Sequence, residues 1–229
     1  MIRNYIKIAW RNLKRHKGYS AINVIGLALS IACCIIIFTI VSFHLSFDNF
    51  HPDKGRIYRL VTEWHDQQID RSSAVPQPLG KAYRTDFDFS EKTARVVSYR
   101  NTLITIPEGN KKFNEERGIV YTEPEYFDIF NYPLVSGNKQ AVLREPNEAL
   151  ITQNTALKYF GKEDPVGKTI RINNSINLII KGVLKDIPAN TDRRHEIYVS
   201  YHNLKDHNRW LASDSSWGGV YSGSQCYTL

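Results

Sequence analysis

The sequence predicts an α+β protein in which one N-terminal transmembrane helix is followed by a mixed α/β external domain of one or two lobes. Three observations carry that prediction. The run Ala21–Phe43 contains no charged residue, and at about 1.5 Å per residue it forms a helix roughly 35 Å long, enough to cross a hydrocarbon core of about 30 Å. Every charge ahead of it is positive: Arg3, Lys7, Arg11, Lys14, Arg15 and Lys17 precede the first acid, Asp48. Behind it lie roughly 185 residues in which short alternating apolar runs are interleaved with helical periods.

The charge asymmetry sets the expected orientation. By the positive-inside rule residues 1–18 stay in the cytoplasm and the portion beyond the span is translocated. A cleaved signal peptide shares the basic-then-apolar order, but its apolar part is about 7 to 15 residues long and ends in a small-x-small site, which SFHLSFDNFH lacks. A lipoprotein signal at Cys33 is disfavoured by Ser30, where an aliphatic residue is wanted, and by the apolar residues that continue beyond Cys33. The organisation expected is a cytoplasmic basic helix at 1–18, a transmembrane helix at 19–47 and an external domain at 48–229.

The chain has 30 basic and 23 acidic side chains. Without the six basic residues ahead of the span, the rest carries 24 against 23. The pI near 9.2 is therefore an argument about topology and anionic lipid headgroups, and it gives no support to nucleic-acid binding. Cys226 is the only cysteine after the span, so no internal disulfide is available and the external fold rests on burial.

In chain order, Ile2, Ile6, Ala9 and Leu13 share one helical face, and Arg3, Lys7, Arg11 and Lys14 form a stripe about 120° away, the pattern of a helix lying on a membrane surface. The stripe is a candidate contact for lipid headgroups or a cytoplasmic partner. His16-Lys17-Gly18 then turns the chain into the bilayer. Within the span Gly26 and Ser30 stand four apart, a spacing that lets a second helix approach closely.

Beyond the span, His44 and His51 flank Asp48, positions suited to headgroup contact or capping. Arg56–Val61 alternates as a first strand, and Pro76–Asp88 reads as a helix with Leu79, Ala82, Tyr83 and Phe87 on one face. Ala94–Tyr99, Leu103–Ile106 and Ile119–Thr122 read as strands, the first two joined as a hairpin through Arg100-Asn101. Pro124 opens a short helix, Glu125–Phe130, whose aromatic residues are expected in the core. Ala149–Ile151 reads as a buried strand, followed by a helix capped by Thr152 and stopped by Gly161. Strands at Thr169–Ile172 and Asn177–Leu184 are joined by the turn Asn173-Asn174-Ser175, and strands at Ile197–Tyr201 and Gln225–Leu229 complete the set.

Motifs for chemistry are sparse. Gly161 to Thr169 resembles a phosphate-binding Walker loop, but five residues separate its glycines where four are needed, and it leads into a strand where a helix N-terminus is required. His195, His202 and His207 form only a loose cluster in a polar region, without metal-ligand spacing, and a solvated surface is the expected setting. Glu115-Glu116 sits in a polar loop, no G-x-S-x-G occurs, and Asn173-Asn174-Ser175 fits a glycosylation pattern too short to carry weight. The chain reads as a non-enzymatic, anchored protein that binds, transmits or scaffolds, and it needs no cofactor or metal.

Several stretches, in order, resemble one family. Ile8-Ala9-Trp10-Arg11-Asn12-Leu13, Asn23-Val24-Ile25-Gly26-Leu27-Ala28 and Phe47-Asp48-Asn49-Phe50-His51 followed by Arg56-Ile57-Tyr58-Arg59 resemble the opening of a MacB/FtsX-like ABC transporter permease of the Bacteroidetes type. Tyr126-Phe127-Asp128-Ile129-Phe130, Asp164-Pro165-Val166-Gly167-Lys168 and Gly182-Val183-Leu184-Lys185-Asp186-Ile187-Pro188 resemble its MacB-like periplasmic core domain. The chain departs at His44, where the family often has an acid, and at Thr191-Asp192, where it often has Ser-His. The resemblance implies further membrane helices beyond this stretch, so the chain is expected to be a C-terminally shortened form.

What the resemblance implies is a permease in a bacterial inner membrane, coupling ATP hydrolysis by a separate cytoplasmic ATPase to periplasmic movement for export of antibiotics, peptides or lipoproteins. The implied partners are that ATPase, a second permease protomer, membrane lipids and a periplasmic or outer-membrane protein. The alternative is a singly anchored periplasmic binding or sensor domain that works without an ATPase.

Overall fold

The computed structural model describes residues 2–65, 69–138 and 142–229, and for Ile2 the backbone alone, so the place of Ile2 on the apolar face lies outside the described side chains. Met1–Phe47 and Asp48–Leu229 are two compact units. In the first, α1 (Ile2–Arg15) and α2 (Lys17–Leu45) are divided at His16, whose φ of −112° and ψ of 60° leave the helical region. The 29 residues of α2 extend roughly 43 Å. None is buried. Two hydroxyls in its apolar stretch are closed on the helix itself: Ser30 Oγ donates to the Gly26 carbonyl at 2.9 Å and Thr39 Oγ1 to the Ile35 carbonyl at 2.8 Å. A helix apolar on every side, with its backbone bonds closed internally, suits hydrocarbon.

The second unit begins with β1 (Tyr58–Arg59), β2 (Thr62–His65), β3 (Ile69–Ser72), α3 (Leu79–Asp86), β4 (Thr93–Tyr99), β5 (Thr102–Ile106), β6 (Lys111–Glu115) and β7 (Ile119–Thr122). It continues with α4 (Glu125–Ile129), β8 (Leu134–Gly137), β9 (Glu148–Thr152), α5 (Gln153–Phe160), β10 (Thr169–Ile172), β11 (Ile176–Leu184), β12 (Ile197–Ser200), α6 (Leu204–His207) and β13 (Ser224–Thr228). Eleven strands form one sheet in the order β1-β13-β4-β7-β12-β9-β11-β10-β5-β6, with β8 added beside β11, and β2-β3 stands apart as a hairpin. The ladder is antiparallel except where β9 meets β11 and β7 meets β12.

Period-two alternation gives this sheet two cores. Ile119 and Tyr121 of β7, Ala149 and Ile151 of β9, and Ile197 and Val199 of β12 face one side, where Ala156, Tyr159 and Phe160 of α5 cover them. Val120, Leu150 and Tyr198 of the same strands face the other, against Tyr126, Phe127 and Ile129 of α4 and Phe130 just beyond it. The aromatic helix is therefore core, as its composition predicts. Strands covered on both faces are apolar at consecutive positions, which explains why Ala149–Ile151 in β9 reads as a continuous run rather than an alternating one.

Several expectations are corrected. β4 and β5 do not pair: β4 lies between β13 and β7, whereas β5 lies between β10 and β6. The expected strand 56–61 is only Tyr58–Arg59, both exposed, and Arg56 instead pairs with Glu91. α3 starts at Leu79 rather than Pro76, with Phe87 beyond its end and exposed. Thr152 precedes α5 but its side chain makes no cap bond; Thr152 Oγ1 meets Thr155 Oγ1 at 3.1 Å, and Asp186 Oδ1 accepts the Asn154 N–H at 2.8 Å. Gly161 does stop the helix, at φ 65°. Between β6 and β7 the turn requires Gly118, where φ is +67° and a Cβ would stand 1.6 Å from the Tyr99 carbonyl oxygen.

Candidate functional site

On α1 the charges of Arg3, Lys7, Arg11 and Lys14 are all exposed, as are Ile6, Ala9, Trp10 and Leu13. Lys14 Nζ lies 5.4 Å from the Trp10 ring centre. Backbone bonds continue through the break, from the His16 N–H to the Asn12 carbonyl at 3.1 Å and from the Ser20 N–H to the His16 carbonyl at 3.0 Å. Gly26 and Ser30 share an open face: a Cβ on Gly26 would meet nothing within 4 Å. Both faces lack protein cover among the described residues.

The second unit opens with a fixed point. Asp48 has φ 55°, its N–H donates to the Asn190 carbonyl at 3.0 Å, and its Oδ2 accepts from Arg193 Nη2 at 2.6 Å. The Arg193 guanidinium in turn lies 4.8 Å from the Phe130 ring centre and 5.3 Å from that of Tyr227. Three residues on, His51 is 3% exposed and packs edge-on to Phe130 and Tyr132. Its Nδ1 stands 2.9 Å from the Phe130 carbonyl, which can only accept, so Nδ1 carries the proton. Burial is the main force lowering the His51 pKa; the Phe130 bond opposes it and the Arg193 charge adds to it. A headgroup contact is thus ruled out for His51, which is a core residue. His44 is exposed and stacks on Phe47.

A second charged node was not legible locally. Glu123, 8% exposed, accepts from Arg84 Nη2 at 2.8 Å and from Arg95 Nη2 at 2.7 Å. Burial would raise its pKa, but the bonds and charges of the two arginines hold it below the usual carboxylate range. Arg95 also reaches Asp214 at 3.2 Å and lies 4.2 Å from the Tyr201 ring centre. The node ties α3, β4, the end of β7 and the 214 loop together. Glu115 is likewise no loop residue: it closes β6, buried, with Lys158 Nζ at 2.7 Å and the Tyr159 hydroxyl at 2.6 Å.

The three downstream histidines are not brought together as one set. His207 packs between Tyr99 and Tyr121, His195 lies beside Tyr198, and His202 is exposed. The solvated setting thus holds for His202 alone. Among the described residues no group of three His, Cys, Asp or Glu could hold a metal ion. After Gly161 the chain turns through Gly167, at φ 86°, into strand β10, so no helix N-terminus faces that loop. Asn173 and Asn174 both take left-handed φ, 47° and 57°, in the β10–β11 turn.

With a long lipid-compatible helix leading into this two-core mixed sheet, comparison with known proteins is decisive. The family described as MacB-like periplasmic core domain matches residues 20–221. The chain belongs to that family. It is accordingly a MacB/FtsX-like ABC permease chain, a membrane-anchored protein with an extracytoplasmic domain. The chain has no significant match among curated proteins. Among solved structures, it is similar to a domain of a protein assigned as a permease from Porphyromonas gingivalis, with TM-score 0.65, 21% identity, 78% of this chain and 74% of that one covered. That likeness shows the fold. The periplasmic region of MacB from Actinobacillus actinomycetemcomitans is similar at TM-score 0.47 and 18% identity, covering 66% of this chain and 64% of that one. The extracellular domain of the transporter YknZ from Gram-positive bacteria is similar at TM-score 0.46 and 18% identity, covering 69% and 73%.

Proposed function

We propose that this chain is a permease subunit of a bacterial inner-membrane ABC transporter, coupling ATP hydrolysis by a separate cytoplasmic ATPase to movement of its external domain for export of antibiotics, peptides or lipoproteins. In this reading residues 1–18 are a cytoplasmic basic helix, 19–47 the first transmembrane helix and 48–229 the periplasmic core domain. Arg3, Lys7, Arg11 and Lys14 meet the ATPase or anionic headgroups. Gly26 and Ser30 receive a neighbouring helix. Two protomers pair, with a periplasmic or outer-membrane protein beyond them.

The observation that supports coupling most directly is the anchoring of Asp48. The first residue of the external unit is held by Arg193 and Asn190, and His51 is bonded into the aromatic core beside it. A displacement arriving along the chain at Asp48 is delivered to packed side chains, which transmit it; a slack linker would absorb it.

The test is purification of the permease from its native genetic context in gentle detergent, followed by mass spectrometry. An ATPase subunit should co-purify, and reversal of Arg3, Lys7, Arg11 and Lys14 to Glu should release it without changing the melting of the external unit. Recovery with no ATPase would leave the singly anchored binding or sensor domain as the better account.

A further inference from the structure

The external unit holds a polar cleft of about 790 Å³, walled by β1, the ends of β4 and β13, the β6–β7 turn and the loop ahead of β12. That volume is in the range of small-molecule sites, about 300–1,000 Å³. Its charged lining is five arginines, Arg59, Arg100, Arg117, Arg193 and Arg194, against two carboxylates, Glu116 and Asp192. Two of the arginines are committed elsewhere: Arg193 to Asp48 at 2.6 Å and Arg117 to Glu196 at 3.6 Å. Arg59, Arg100 and Arg194 form no ion pair among the described residues, either with the two lining carboxylates or with any other.

The three uncommitted arginines come from distant segments: β1, the residue after β4, and the loop ahead of β12. The fold itself gathers them, against their mutual repulsion. In the same wall, burial first and then the charges of Arg193 and Arg100 push the His195 imidazole down to about 4. That wall is electropositive at neutral pH despite Glu116 and Asp192. Ser98, Tyr221 and Ser222 add neutral hydroxyls to the lining.

From this arrangement we propose that the cleft binds a phosphate group carried by a larger molecule. A carboxylate offers two oxygens and is filled by one bidentate arginine, whereas a phosphate offers more acceptor oxygens and takes several guanidinium forks at once. The cleft volume leaves room for the rest of the molecule. The phosphate could come from a lipid headgroup or from a water-soluble phosphate compound; the recognition chemistry is common to both. The assignment does not depend on ATPase coupling or export.

The test uses the full chain in nanodiscs of phosphatidylcholine, with inorganic pyrophosphate as probe in isothermal titration calorimetry. Saturable binding is expected, weakened about tenfold or more in the Arg59→Ala/Arg100→Ala double variant. Both side chains are exposed and unpaired, so the melt should be unchanged. Arg100→Lys, which keeps the charge and loses the fork, should bind with intermediate affinity. Adding phosphatidic acid to the nanodisc separates the sources: competition with pyrophosphate assigns the cleft to a lipid headgroup, and unchanged affinity assigns it to a soluble phosphate compound. Absence of saturable binding, full affinity in the double variant, or an equal loss in a Lys112→Ala/Lys205→Ala control at two lysines that do not line the cleft would each overturn the proposal.

Discussion

Helix α2 and strand β9 are both apolar at their centres, yet none of the 29 residues of α2 is buried while all five of β9 are. The difference lies in the backbone. α2 closes its hydrogen bonds within itself, so lipid can cover its side chains on every side. β9 directs its backbone bonds to β11 on one edge and β12 on the other, so protein must surround it. An apolar run therefore specifies that water is excluded, and its backbone partners specify what excludes it.

Substitutions in the two environments should behave as differently as their surroundings. The largest effect is expected at Phe127, 4% exposed under the same sheet that contains β9. Phe127→Ala should cost about 3–5 kcal/mol and lower the melting temperature of the external unit by about 10 °C in calorimetry of the detergent-solubilised chain. An unchanged melt would mean that α4 does not hold the core.

Next is Ile36→Arg in α2. A charge at the centre of the span should cost about 3 kcal/mol of membrane insertion, read as a fall in the carbonate-resistant fraction, with the melt of the external unit unaltered. A parallel fall in that melt would show that the two environments are not independent.

Glu123 supplies an intermediate effect with a pH signature. Its folded pKa is held below the ordinary value of 4.5. Its contribution is therefore complete above about pH 4.5 and is lost as the pH falls through the lower folded value. Glu123→Gln should cost about 2 kcal/mol at neutral pH and flatten the acid limb of the melting curve. A variant whose acid limb matched the parent would remove Glu123 as its source. The smallest effect belongs to Ile36→Ala, which leaves no cavity within the protein and should change the melt of the external unit by less than about 0.5 kcal/mol.

Much of the fold was legible where a local pattern and its tertiary role coincide. β9, α4, the Gly161 stop and the Asn173-Asn174 turn are read from residues within a few positions of one another. Pairing was not legible in that way. Arg100-Asn101 does turn the chain, with Asn101 at φ 52°, but the partners of β4 and β5 are chosen by burial of strands far away in sequence. β6, Lys-Lys-Phe-Asn-Glu, and β3, Ile-Asp-Arg-Ser, lack the apolar alternation that marks a strand. Their order comes from the neighbours they bond. The same holds for the charged sites. The basic stripe of α1 lies within the twelve residues Arg3 to Lys14, whereas the Asp48–Arg193 pair spans 145 positions and the Glu123 node reaches Arg84 across 39. His51 looked like an interfacial histidine because its aromatic neighbours arrive from residues 130 and 132.

The two ends of the large sheet limit how copies of this domain can meet. At one end β1 offers two residues of backbone; at the other β6 presents Lys111 and Lys112, both exposed. Neither a stub nor a lysine-bearing edge accepts a further strand readily. At these two edges the hydrogen-bond ladder therefore terminates within each molecule. Copies of this permease domain should therefore not join through β1 or β6 into a continuous sheet.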